Sequence, residues 1–160
     1  MYILIIISII LYILGYIIKY MKSNKNTTIN ENCFLPKENP MTETEKIFLS
    51  YLKPFTDKYN LIIIPQVQLQ SIFKVSNNKD ISNFNKIKSK SIDFAIVDNK
   101  YNYKIFIELD DYTHNQKNRI ERDIFINNLF NTYNLKLKRI KVQNNYNLEQ
   151  IESIIKEVVN

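Results

Sequence analysis

Seventeen residues without a single charge, residues 2–18 (YILIIISIILYILGYII), stand at the start of the chain, with only Ser8 and Gly15 interrupting the apolar run. About 17–20 such residues in a helix reach across a ~30 Å hydrocarbon layer at about 1.5 Å per residue. A buried core helix is one alternative, but a helix apolar on every side and followed by a lysine cluster fits a membrane better. A secretory signal is the competing reading. It calls for a basic stretch before the run and a small-residue cleavage site after it, whereas the run follows Met1 directly and is followed by KYMKSNK. Residues 2–21 are therefore expected to be a transmembrane anchor. Lys19, Lys22 and Lys25 all lie on its C-terminal side, and the preference of lysine for the cytoplasmic side puts the N-terminus outside and everything after the anchor in the cytoplasm. A reducing compartment suits the lone Cys33.

Residues 22–40 are rich in Asn, Thr and Pro and lack periodicity, the pattern of a flexible linker. The remaining 120 residues, 41–160, suffice for one packed core. One cysteine and one histidine in the whole chain exclude an intrachain disulfide framework and a Cys/His structural zinc site. A single glycine excludes a P-loop or a dinucleotide-binding fingerprint, which need several. The net charge is +6, of which residues 41–160 carry about +4. That surplus is compatible with a polyanionic partner and does not demand one.

Within this domain the residue patterns alternate between helix and strand. Thr42 and Glu45 form a capping box ahead of Ile47, Phe48, Tyr51, Leu52 and Phe55 at helical spacing. Residues 61–69 (LIIIPQVQL) predict a strand whose proline belongs at a sheet edge or a bulge. Residues 75–90 show no clear pattern and are expected to be a lysine-bearing loop. Residues 91–98 (SIDFAIVD) and 104–110 (KIFIELD) predict two further strands, residues 115–133 a helix, residues 135–142 (LKLKRIKV) a fourth strand, and Asn147 the cap of a last helix. The order α-β-β-β-α-β-α implies an α/β fold with helices packed on a mixed sheet.

The short connection at residues 99–102 makes the second and third strands an antiparallel hairpin in which paired residue numbers sum to 201. Asp93 then faces Glu108, and the two-residue period places Asp110 on the same side. Like charges opposed across a hairpin repel, and a divalent cation is one way to relieve them, with hard oxygen ligands that suit Mg²⁺ or Mn²⁺. The alternative is that Asp93 is an exposed strand residue and that residues 108–111 are a solvated strand end. His114 follows the third strand within four residues, and Arg122 falls one helical turn before Ile126, on the stripe that faces the sheet. Glu45 by its spacing is a capping residue.

Taken together, T-x-x-E-x-x-F at residues 42–48, PQVQL at 65–69, IDF at 92–94, IELDDYTH at 107–114, RD at 122–123 and LKRI at 137–140 resemble the bacterial DUF2726 family of domains of unknown function. IELDDYTH followed by RD is the most specific part. That family is placed in the PD-(D/E)XK nuclease superfamily and is similar to very-short-patch-repair endonucleases. The resemblance implies the restriction-endonuclease-like core, α-β-β-β-α-β, here with an N-terminal transmembrane helix and a C-terminal helix added. It implies a metal-dependent phosphodiester hydrolase acting on nucleic acid, DNA before RNA, with Asp93 and Glu108 holding Mg²⁺ or Mn²⁺. Asp110 stands where the superfamily usually carries lysine, and is expected to hold a second metal or orient the attacking water. His114 is the expected general acid or base, Arg122 a phosphate contact in place of the lysine, and Glu45 a further acid at the site. Lys86, Lys88 and Lys90 are expected to meet the nucleic-acid backbone without regard to sequence. The competing expectations are a nuclease-fold domain that binds nucleic acid or protein without cutting, and a membrane-anchored partner-binding module.

Overall fold

The computed structural model describes residues 2–25, 33, 35–77, 79–110 and 117–159. It divides into two units, Met1–Glu38 and Asn39–Asn160. The first contains helix α1, Tyr2–Lys25, four residues longer than the expected anchor. Its segment Tyr2–Lys22 is long and apolar enough to cross a membrane, and none of it is buried. A signal sequence meets the same criterion of length and composition.

The second unit is a mixed α/β domain. Helix α2 (Glu43–Lys58) opens with the expected capping box: Glu45 N–H donates to Thr42 Oγ1 at 3.3 Å, and Thr42 N–H to Glu45 Oε2 at 2.8 Å. Strands β1 (Ile62–Gln68), β2 (Ser91–Val97), β3 (Tyr103–Asp110) and β4 (Leu137–Lys141) form one sheet in sequence order. β1, β2 and β3 are antiparallel neighbours, whereas β4 runs parallel to β3. That parallel step requires a crossover, and helix α5 (Lys117–Thr132) provides it. Helix α6 (Leu148–Val159) ends the domain, with Asn147 Oδ1 accepting from the N–H groups of Glu149 and Gln150.

The sheet is covered on both faces. Phe94, Ile96, Ile105 and Ile107 pack with Phe48 and Leu52 of α2 and Ile151 and Ile155 of α6. Val67, Ile92, Ala95 and Phe106 pack on the other side with Ile126 and Phe130 of α5. Tyr133, one residue past the end of α5, is exposed, although its ring lies 5.7 Å from that of Phe73. Pro65 sits in β1, which is an edge strand, where a missing N–H leaves no gap in an interior ladder.

Residues 75–90 are not the loop that the missing pattern suggested. They contain an eight-residue helix, α4 (Ile81–Lys88), preceded by a single helical turn, α3 (Leu69–Ile72). Asp80 caps α4 by accepting from Asn83 N–H at 3.0 Å. Its pattern is faint because only Ile87 is buried, with Ile81 and Phe84 left exposed. So short a helix exists because Ile87 docks on the β1–β2 face, and propensity alone would not hold it.

Candidate functional site

Three pairs have the expected register, Phe94 with Ile107, Ala95 with Phe106 and Ile96 with Ile105, but next to the turn it shifts by one and Val97 pairs with Tyr103. The regular ladder stops at Phe94 and Ile107, one residue short of Asp93 and Glu108. The alternation changes at Asp93. Ile92 and Phe94 are both fully buried, yet on opposite faces, Ile92 toward α5 and Phe94 toward α2 and α6. Across from Asp93 the β1 ladder skips a pair, bonding Pro65 to Phe94 and Val67 to Ile92. The residue between, Gln66, has φ 52°, and a left-handed residue turns the strand out of its regular pleat.

Half-buried Asp93 and buried Glu108 form an acid pair. Leu109 N–H donates to Asp93 Oδ2 at 2.7 Å. Glu108, only 4% exposed, receives Arg122 Nη2 on Oε1 at 2.7 Å. Its other oxygen, Oε2, is buried and has no hydrogen-bond partner among the described residues. An unsatisfied buried carboxylate oxygen is costly, about 1–3 kcal/mol or more, and such an atom in a native fold calls for an explanation. Burial raises the pKa of Glu108, against the opposing charge and hydrogen bond of Arg122. Burial, reinforced by the charges of Glu108 and Glu45, pushes the Asp93 carboxyl up to about 7, while the Leu109 N–H and Arg122 pull the other way. Glu45 thus serves as a helix cap and still adds its field to the acid pair.

Arginines rather than a third acid complete the cluster. Arg122 Nη2 also donates to the Ser91 carbonyl at 3.0 Å, and its Nη1 to Asp123 at 3.1 Å. Asp110, expected as a third ligand, accepts instead from Arg139 Nη1 at 2.7 Å. Arg139 further binds Asp123 at 3.1 Å and Asn127 at 2.9 Å. Asp123 therefore joins the two guanidinium groups. Among the described residues no three His, Cys, Asp or Glu side chains are grouped to hold a metal ion. What fits a divalent cation is the pair Asp93 and Glu108, where Glu108 Oε2 lacks a donor; the repulsion expected of Asp110 is relieved by Arg139. His114 lies outside the described residues.

Arg139 was not anticipated. Its number gives no hint, because only the parallel register, Glu108 with Arg139 and Asp110 with Lys141, brings β4 beside the acids. The lysines separate as well. Lys86 Nζ donates to Asn83 at 3.0 Å, and Lys90 Nζ to the Lys86 carbonyl at 2.5 Å while lying 5.6 Å from the Phe125 ring. The Lys90 contact is one that a helix C-terminus makes with cations, and the Lys86 contact is a side-chain pair within α4.

The family model described as protein of unknown function (DUF2726) matches residues 37–158. The chain belongs to that family. The DUF2726 match takes in α2 through nearly all of α6, and with them Asp93, Glu108, Arg122 and Arg139. No curated protein and no solved structure matches the chain.

The Asp93 carboxyl gives this DUF2726 domain a definite pH signature. An unfolded aspartate releases its proton near pH 3.8, whereas the folded one holds it to about pH 7. Between those values the native state binds the extra proton, so stability falls as pH rises through the window and levels off above it. Asp93→Asn keeps an acceptor for Leu109 N–H and removes this loss. The variant is expected to be about 2–4 kcal/mol more stable than the parent at pH 8, and nearly equal to it at pH 4. Urea unfolding in EDTA at the two pH values measures the difference. Parallel pH slopes for parent and variant would contradict the assignment.

Proposed function

We propose that the domain is a metal-dependent phosphodiester hydrolase of the PD-(D/E)XK type that acts on nucleic acid. The observation that carries this reading is the pairing of half-buried Asp93 with buried Glu108, whose Oε2 has no donor among the described residues. Supporting it are the core order α2-β1-β2-β3-α5-β4, with short α3 and α4 inserted after β1, and the membership in DUF2726. In this reading Asp93 and Glu108 hold Mg²⁺ or Mn²⁺. Such an ion supplies a Lewis acid and a water acidified toward neutrality. Arg122 holds Glu108 by Oε1, and Oε2 would be the oxygen left to hold the ion. His114 would act as the general acid or base, and Arg139 holds Asp110 by an ion pair.

A second reading is a nuclease-fold domain that binds nucleic acid without cutting. It is favoured by the arginines, because Arg122 and Arg139 already supply the cationic partners that Glu108 and Asp110 need. The full-length chain in detergent, incubated with DNA and RNA, separates the two. Cleavage with Mg²⁺ or Mn²⁺ and none in EDTA is the expected result; binding without cleavage under every metal condition establishes the second reading.

The chain is further proposed to be a single-pass membrane protein held by α1, with its N-terminus outside and the DUF2726 domain in the cytoplasm. The support is the position of Lys19, Lys22 and Lys25 after the apolar run. Protease added to intact cells should leave the domain whole, and digestion there would reverse the orientation.

A further inference from the structure

Beside the acid pair lies a cleft of about 230 Å³ whose polar lining is Gln66, Gln68, Lys88, Ser89, Lys90 and Ser91. It touches the site at two points. Gln66 stands opposite Asp93 across the β1–β2 ladder, and the Ser91 carbonyl is bound by the same Arg122 Nη2 that holds Glu108. The cleft contains no carboxylate. Its acceptors are largely spent: Gln66 Oε1 accepts from Ser91 Oγ at 3.2 Å, and Gln68 Oε1 accepts from Gln70. The donors are not. Among the described residues the Gln66 and Gln68 amide N–H groups, the Ser89 hydroxyl and the Lys88 ammonium have no partner, whereas Lys86 and Lys90 are engaged by their own helix.

A pocket that offers unspent donors, the unpartnered Lys88, the still-charged Lys90 and no opposing acid selects an anion. Its size is below the ~300 Å³ at which pockets for drug-sized ligands begin, and suits a single tetrahedral oxyanion. We propose that this cleft is a phosphate-binding site, with Lys88 as its charge and the Gln66 and Gln68 amides as its orienting donors. That the phosphate is the diester next to the one held at Asp93 and Glu108 rests on the reading of the domain as a nuclease. The strand would then run from the acid pair along the outer side of β1 toward the C-terminal end of α4.

The test uses the full-length chain in detergent, in EDTA so that cleavage plays no part. Two probes are used, a short fluorescein-labelled DNA duplex and inorganic phosphate. Lys88 is exposed, so its replacement leaves the core untouched. Lys88→Ala is expected to weaken duplex binding about tenfold at low salt and to reduce the salt slope by about one. Lys100→Ala, in the turn at the other end of β2 with the same charge removed, should weaken it by less than about threefold. Inorganic phosphate should shift the side-chain amide NMR signals of Gln66 and Gln68, and Lys88→Ala should abolish the shift. Equal losses in the two lysine variants would reduce the effect to overall charge and overturn the site, as would a phosphate titration that moves neither glutamine signal. Phosphate shifts with no duplex binding would uphold the cleft and defeat the nucleic-acid reading instead.

Discussion

Arg122→Ala is expected to destabilise the domain by about 3–5 kcal/mol, the cost of removing one partner from a buried ion pair. Glu108 is 4% exposed and its Oε1 relies on Arg122 Nη2 at 2.7 Å, so the variant leaves both carboxylate oxygens without a donor. The loss extends beyond the pair, because Arg122 also ties α5 to the Ser91 carbonyl of β2. Two comparisons separate these contributions. Arg122→Ala combined with Glu108→Gln should recover part of the stability, since the uncompensated charge is gone and only the link between α5 and the sheet is missing. Added Mn²⁺ should also recover part of it in Arg122→Ala and none in the double variant if Glu108 is a ligand. Chemical unfolding with and without metal gives all of these values. A loss below about 1 kcal/mol in Arg122→Ala would show that Glu108 is folded as a neutral acid and has no need of the guanidinium.

The second large effect concerns activity. Glu108→Gln is expected to lower metal-dependent cleavage by at least about 10²–10³-fold, the scale on which a preorganised electrostatic group contributes to catalysis. The substitution keeps the shape and lets the amide oxygen accept from Arg122, so the fold should survive it. Stability close to that of the parent together with lost cleavage would assign the defect to the site. Cleavage that persists undiminished would move the reaction elsewhere on the chain or to a contaminant.

Much of this architecture was legible in the residues alone, for reasons that are local. The capping box at Thr42 and Glu45, the Asn147 cap, and the period-2 runs of β2 and β3 depend on neighbours a few positions away. The hairpin itself follows from a short turn built by residues within it, where Asp98 accepts from the N–H groups of Lys100 and Asn102, each at 2.9 Å, whereas the shift of register at Val97 does not. The family resemblance, drawn from motifs spread over residues 42–140, agrees with a DUF2726 match over residues 37–158. Helix α4 stayed hidden because a single docked side chain, Ile87, stabilises it, and one apolar contact leaves no period to read.

The chain's sequence by itself determined an apolar N-terminal helix, the order of the strands and of the helices other than α3 and α4, and the closeness of Asp93 to Glu108. Tertiary structure alone decided what those acids meet. Arg122 reaches Glu108 because α5 crosses over β3, and Arg139 reaches Asp110 because β4 pairs in parallel at that register. It also decided that Ile92 and Phe94 are buried on opposite faces, through a left-handed Gln66 that no pattern of alternation announces. The division has a physical cause. Backbone periodicity and capping are settled within a few residues, whereas the compensation of a buried charge is settled by whichever distant side chain the packed helices and strands bring within hydrogen-bonding distance.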